Sequence, residues 1–158
     1  MIEEEIIKMK KLNEKGFTLI ELLAVIVILA IVAAITIPTV LSSMGNARQS
    51  TFNTSAQTVA DWFEKEYSAA QINMADAEFT ALCGADGSTC VSDAGTSFNS
   101  EVGKKALETA GVKASNYDRE SSTVKINTNG RVCITLKASN SGDFSSVKTT
   151  TATSATCS

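Results

Sequence analysis

The sequence predicts an α+β fold in which one long N-terminal α-helix packs against a small antiparallel β-sheet of three to four strands. Two observations predict it. An apolar run near the N-terminus continues into a segment with helical spacing, and short segments later in the chain alternate apolar and polar residues. Helix comes first and strands follow, which is typical of α+β proteins. Residues 42–158 suffice for one small core, and no second composition shift marks another domain.

The first element is the apolar run of residues 17–41, which contains one carboxylate, Glu21. About 25 residues at a rise of about 1.5 Å each give a helix of about 37 Å. This length crosses a hydrocarbon core of about 30 Å. An ionisable residue in a membrane span is costly and is a functional hypothesis by default. The run therefore predicts a transmembrane helix in which Glu21 has a function.

The same helix is predicted to continue beyond the membrane to about Ala70. Apolar residues recur there at spacings of three and four and form one face, which is expected to carry the sheet. Interruptions are expected at Pro38, which lacks a backbone donor, and at Gly45; Pro38 is the predicted kink. The residues of the apolar face are Phe52, Ala56, Val59, Ala60, Phe63, Tyr67 and Ala70.

The remaining elements are short. Residues 104–110 predict a helix that ends at the following glycine. Apolar residues alternate in 124–126 and in 132–136, on either side of Asn129 and its neighbouring glycine, which predicts a β-hairpin. A further strand is expected near 144–150, and residues 74–100 are predicted to form loops and short elements.

Residues 15–23, with the sequence KGFTLIELL, resemble the type III signal sequence of type IV pilins and pseudopilins. The resemblance extends to about residue 48. It implies that a membrane aspartyl prepilin peptidase removes the leader, residues 1–16, by cutting between Gly16 and Phe17, and methylates the new amine of Phe17. It also implies the other partners: further copies of the chain in a homopolymer, a pilus assembly platform and minor pilins.

Physical reasoning supports these implied roles. Gly16 has no side chain, so an extended segment passes easily through a protease cleft. Cleavage creates an ammonium on Phe17, four positions before Glu21 and on the same helix face. The resemblance implies that Glu21 pairs with the Phe17 amine of a neighbouring subunit and sets the stagger between helices. The competing interpretation is a carboxylate that snorkels from near the helix end.

The charge around the span predicts its orientation. Lysines near a span tend to stay on the cytoplasmic side, so the chain is expected to be a single-pass protein of the cytoplasmic membrane before it enters an extracellular pilus. Translation starts at Met1 or at Met9, and either choice leaves a leader that takes no part in the fold. The lysines before the cleavage site are Lys8, Lys10, Lys11 and Lys15.

Four cysteines in an exported domain indicate disulfides, and four allow three pairings. We favour Cys83 with Cys90, which closes a turn-rich loop. We favour Cys133 with Cys157, which ties the C-terminus to a strand much as pilins do. Zinc is disfavoured because the chain has no histidine and no C-x-x-C pair, so no metal and no cofactor are predicted.

Several other functions find little support. Without histidine, a nucleophile elbow or a phosphate loop, no enzyme activity is predicted. The mature side chains sum to a charge of -3 without a basic run, so the isolated subunit is not expected to bind nucleic acid strongly. Residues 149–156 are either a polar tail or a site for glycans. Four acidic residues lack the spacing of a calcium loop: Asp76, Glu78, Asp86 and Asp93.

The sequence therefore predicts a structural subunit of a type IV pilus, with the major pilin preferred. Adhesion, twitching motility or DNA uptake would be properties of the polymer. The alternatives within the family are a minor pilin and a pseudopilin of a secretion or competence system. The alternative from another class is a signal-anchored extracellular binding domain or exoenzyme. A secretory signal peptide would instead be cut near Ala34.

Overall fold

The computed structural model describes residues 17–157, so the predicted leader and Gly16 lie outside the described residues. The chain divides into two compact units, and the boundary falls between Leu41 and Ser42. Helix α1, Leu19–Ala70, begins in the first unit and ends in the second. The fold class predicted from the sequence is confirmed, since one long helix precedes an antiparallel sheet.

Helix α1 is continuous over 52 residues, and the interruptions expected at Pro38 and Gly45 are absent from it. Proline removes only one backbone hydrogen bond, to the carbonyl four residues earlier, and apolar segments tolerate it when flanking turns stay bonded. The threonines on either side of Pro38 donate their hydroxyls to backbone carbonyls four residues earlier. Thr36 Oγ1 lies 3.0 Å from Val32 O, and Thr39 Oγ1 lies 3.4 Å from Ile35 O. The bend predicted at Pro38 stays a prediction.

Besides the end of α1, residues 42–157 contain three short 3₁₀ helices and six further regular elements. The helices are α2, Ala77–Cys83, and α3, Glu101–Thr109. The strands are β1, Thr96–Ser97, β2, Thr123–Ile126, β3, Val132–Lys137, and β4, Thr151–Thr153. They form one antiparallel sheet in the order β1-β2-β3-β4.

The hairpin predicted around Asn129 is strands β2 and β3. Val124 pairs with Ile134, and Ile126 pairs with Val132. All four side chains are buried on the same face, because residues two apart on a strand point to the same side. Gly130 has a φ of 80° in the turn between the strands, a backbone conformation that glycine adopts without strain.

The predicted apolar face of α1 is buried in the core of this unit. Phe52 and Phe63 are fully buried, and the Phe63 ring lies 5.9 Å from both Phe79 of α2 and Phe98. Aromatic centroids at this distance add to the gain from area burial. Tyr67 is only partly buried, and its ring packs on Gly87, where an added Cβ would lie 2.7 Å from the ring.

Two predictions about the later elements need correction. The strand expected near 144–150 is wrong: β4 is Thr151–Thr153, and Phe144 and Val147 are buried in a turn. Their spacing of three, rather than two, fits a turn in which Val147 N donates to Phe144 O. The helix expected at 104–110 begins earlier, at Glu101, because Ser100 accepts the N–H of Gly103 and caps it.

The four cysteines form the two pairs favoured from the sequence, Cys83 with Cys90 and Cys133 with Cys157. Cys83 and Cys90 are seven residues apart in the sequence and close a short loop, and Cys133 and Cys157 are 24 residues apart. Cys133 lies in β3, and Cys157 is in the last described turn. The second disulfide therefore fastens the C-terminal segment to the middle of the sheet.

Candidate assembly site at the start of helix α1

The first turn of α1 is closed by hydrogen bonds between Thr18 and Glu21. Glu21 Oε2 accepts from Thr18 N at 2.8 Å and from Thr18 Oγ1 at 2.8 Å. In return, Glu21 N donates to Thr18 Oγ1 at 3.3 Å. Thr18 directly precedes the helix, and Glu21 is its third residue. This reciprocal arrangement is a capping box.

The capping box explains how a carboxylate is accommodated at this position. The first N–H groups of a helix have no partner within the helix, and unpaired polar groups are costly in lipid. Thr18 and Glu21 satisfy two of these donors. The positive end of the helix dipole also favours a negative charge in the first turn.

Sequence reasoning identified Glu21 but missed Thr18. The signal was present, because Thr18, two intervening residues and Glu21 match the pattern S/T-x-x-E directly before an apolar run. The structure brings Thr18 and Glu21 together in one turn.

The two oxygens of the Glu21 carboxylate are used unequally. Both bonds from Thr18 reach Oε2, and within residues 17–157 no hydrogen bond or ion pair reaches Oε1. A carboxylate oxygen accepts more than one hydrogen bond. The site can therefore hold a further donor, such as an ammonium, without breaking the capping box.

Apolar side chains surround this site on α1. Phe17 is 88 % exposed, and the large apolar residues from Leu19 to Leu41 are exposed as well. The helix is long and apolar enough to cross a membrane. A helix that is apolar on all sides needs lipid or other helices around it. The surface is thus suited first to a bilayer and then to contacts between helices.

The other predicted site residues do not join this site. Pro38 lies more than four turns further along α1, and the four cysteines belong to the second unit. Gly16, the residue expected before the cleavage point, is outside the described residues.

The four acidic residues considered as calcium ligands do not gather at one site. Asp76 caps α2 through the N–H of Glu78, and Asp93 lies 3.5 Å from the ammonium of Lys125. The hydroxyl and the backbone N–H of Ser88 hold the pKa of Asp86 below its usual value. Within residues 17–157, no three His, Cys, Asp or Glu side chains gather where a metal could bind.

The fold and the site define a class of protein: an α+β domain carried on an apolar helix whose first turn holds a carboxylate in a capping box. The family model described as the prokaryotic N-terminal methylation motif matches residues 11–37. No curated protein and no solved structure matches the chain. The matched segment is the type III signal signature of type IV pilins, and it supports a type IV pilin-like or pseudopilin-like protein.

Proposed function

We propose that this protein is the major structural subunit of a type IV pilus. It is inserted in the cytoplasmic membrane, cut between Gly16 and Phe17 and methylated at Phe17. It then polymerises through α1 into an extracellular filament that serves adhesion, twitching motility or DNA uptake. The prepilin peptidase, an assembly platform and minor pilins are its partners. The chain itself carries no catalytic activity in this proposal.

One observation carries the proposal: a carboxylate held in the first turn of an exposed apolar helix with one oxygen still open. Glu21 Oε1 accepts no bond from residues 17–157, and the new Phe17 amine would be a matching donor. In a low-dielectric filament core, a buried charge is strongly destabilising unless a partner charge compensates for it. The amine of a neighbouring subunit supplies that partner and fixes the stagger of adjacent helices.

The processing step is tested by the N-terminus of the exported protein. Intact mass and N-terminal sequencing are expected to show methylated Phe17. Gly16→Val is expected to leave the precursor uncut in the membrane. An intact leader or a cut near Ala34 in the native protein would instead indicate a signal-anchored binding domain, an exoenzyme or a secreted protein.

The assembly step is tested by Glu21→Ala. This variant is expected to be inserted and cut normally but to form few filaments, because the neighbouring amine then has no partner. Glu21→Asp is the matched control, which keeps the charge on a shorter side chain. Normal filament yield from Glu21→Ala would exclude the proposed charge pair.

The amount of this chain in the filaments tests whether it is the major pilin, a minor pilin or a pseudopilin. Sheared filaments are imaged, and their dominant protein is identified by mass. If this chain dominates, it is the major pilin. A trace amount of this chain in the filaments would indicate a minor pilin. If cells show no surface filaments and lose secretion when this chain is deleted, the chain would be a pseudopilin.

A further inference from the structure

Two exposed cations of the second unit, Arg48 on α1 and Lys148 before β4, belong to segments that contact each other. Arg48 Nη1 donates to Ser146 Oγ at 3.3 Å. The next residue of the helix, Gln49, accepts from Thr149 N at 2.9 Å and donates to Thr149 O at 3.3 Å. Lys148 therefore sits between two residues that α1 holds, and both cationic side chains are exposed.

Acidic side chains are missing from the sequence around this pair. Residues 22–60 contain no Asp or Glu, and Arg48 is their one charged residue. The acid nearest to Lys148 in the chain is Asp143, which lies 3.7 Å from the ammonium of Lys113. Within residues 17–157, neither Arg48 nor Lys148 forms an ion pair. Their charges are thus available to an external anion.

The position of Arg48 along α1 matches the thickness of a bilayer. Residues 22–47 are 26 uncharged residues between Glu21 and Arg48. At about 1.5 Å per residue they span about 39 Å of helix. A bilayer measures about 40–45 Å when its headgroup layers are included. With Glu21 at one boundary of the membrane, Arg48 reaches the headgroup layer on the other side.

We propose that Arg48 and Lys148 bind the phosphate groups of anionic lipids in the outer leaflet while the subunit is stored in the membrane. The inference rests on the membrane stage of the proposed function. The guanidinium of Arg48 is suited to phosphate because its planar fork donates several bonds, and only one is used by Ser146. Lys148, in the segment that Arg48 and Gln49 contact through Ser146 and Thr149, adds a flexible point charge.

The test measures lipid preference in vesicles that contain the full chain. Spin-labelled phosphatidylglycerol and phosphatidylcholine with the same acyl chains are compared by the fraction of label that the protein immobilises. The native chain is expected to prefer phosphatidylglycerol. Arg48→Gln with Lys148→Gln is expected to lower the preference about five-fold for each cation removed.

A matched control removes the same charge elsewhere. Lys105→Gln with Arg131→Gln changes two exposed cations and is expected to leave the preference unchanged. The proposal is overturned if both double variants lower the preference equally, or if neither lowers it. The conservative variant Arg48→Lys keeps the charge and is expected to keep most of the preference.

Two further arms separate the lipid from other anions. Inorganic phosphate should reduce the preference no more than sodium chloride at the same ionic strength; a specific loss with millimolar phosphate would mean a free-anion site and overturn the proposal. Filament yield is measured in parallel. If the Arg48 and Lys148 double variant loses filaments while its lipid preference is unchanged, the cations contact a second copy, which also overturns it. Failure of the proposed function would instead appear as normal filaments from Glu21→Ala. That outcome leaves the lipid test intact, because lipid preference is measured on unassembled chains.

Discussion

Glu66 and Asp76 are joined by a hydrogen bond that spans the turn between α1 and α2. Glu66 Oε2 accepts from the backbone N–H of Asp76 at 2.7 Å, and Glu66 is only 5 % exposed. Asp76 is the residue that caps α2. The ammonium of Lys65 lies 3.4 Å from the other carboxylate oxygen. One buried carboxylate thus fixes the end of α1 to the start of α2.

Replacing Glu66 is expected to destabilise the second unit. Glu66→Ala removes the acceptor of the partly buried N–H of Asp76, and loss of such a hydrogen bond costs about 0.5–1.5 kcal/mol. Glu66→Gln keeps an acceptor oxygen and is expected to lose less. Urea unfolding of the full chain in detergent, followed by the fluorescence of Trp62, measures both. Equal stability of Glu66→Ala and the native chain would show that the bond contributes nothing.

The sequence predicted those parts of the fold that depend on long periodic patterns. The face of α1 from Phe52 to Ala70 repeats over five turns, so a few ambiguous positions do not obscure it. The hairpin was predicted because alternation on both sides of Asn129 agrees with the turn residues between them. The Glu21 site was found because a charge in an apolar run is costly.

The parts that were missed are short and depend on tertiary contacts. Helix α2 has seven residues, and its position is set by the Asp76 cap and by Phe79 packing against Phe63. A helix of about two turns is too short for apolar residues to show a helical period in the sequence. Strand β4 has three residues and is held by pairing with β3. Its location depends on register that no local pattern specifies.

Removal of the disulfide between Cys133 and Cys157 is expected to cost more than removal of the shorter one. In the chain-entropy picture, a closed loop of this length contributes about 3–4 kcal/mol, and the loop between Cys83 and Cys90 contributes about 1 kcal/mol less. Paired Cys→Ser variants of each bridge are compared by urea unfolding. The reverse order of stability would contradict the loop-length argument.

Two helical glycines are expected to respond oppositely to alanine. At Gly103 in α3, a Cβ would lie 2.6 Å from Phe98 Cα, so Gly103→Ala forces the backbone apart and is expected to cost about 1–3 kcal/mol. At Gly45 in α1, a Cβ meets nothing within 4 Å. Gly45→Ala is therefore expected to stabilise the helix by about 0.5–1 kcal/mol. Thermal unfolding by circular dichroism compares them, and destabilisation by Gly45→Ala would be inconsistent with open space there.

Asp118 is expected to stabilise the fold near neutral pH and to stop doing so in acid. The hydroxyl of Ser121 lowers the pKa of Asp118 from its ordinary value, and the ammonium of Lys137, 3.8 Å away, lowers it further. A carboxyl whose pKa is lower in the folded state stabilises it above the unfolded pKa, near 3.8, and loses this effect as the pH falls through the folded pKa.

The matching variant is Asp118→Asn. Because Asp118 is partly exposed, solvent screening keeps its expected loss at pH 7 below about 1 kcal/mol. The difference from the native chain is expected to shrink as the pH falls from 7 through the folded pKa of Asp118, because the native carboxyl then becomes protonated as well. Urea unfolding across this range measures it, and a difference that grows in acid would reverse the assigned sign.

Thr18 is expected to contribute to assembly by orienting Glu21. Thr18→Val removes the hydroxyl that donates to Glu21 Oε2 at 2.8 Å but keeps the shape of the side chain. Without this bond the carboxylate rotates more freely, and the charge that pairs with the neighbouring amine is less well oriented, so filament yield is expected to fall several-fold. Thr18→Ser keeps the hydroxyl and should assemble normally. Intact mass is measured for each variant, because Thr18 lies next to the cleavage site.

A double-variant comparison distinguishes orientation of Glu21 from a separate role of Thr18. If Thr18 acts through the carboxylate, Thr18→Val adds no further loss in a chain that already carries Glu21→Ala. If the losses of filament yield in the two single variants multiply in the double variant, Thr18 contributes to assembly independently of Glu21 and not through the capping box. Because Oε1 receives no bond from residues 17–157, the orienting bond at Oε2 and an ammonium at Oε1 can coexist in the filament.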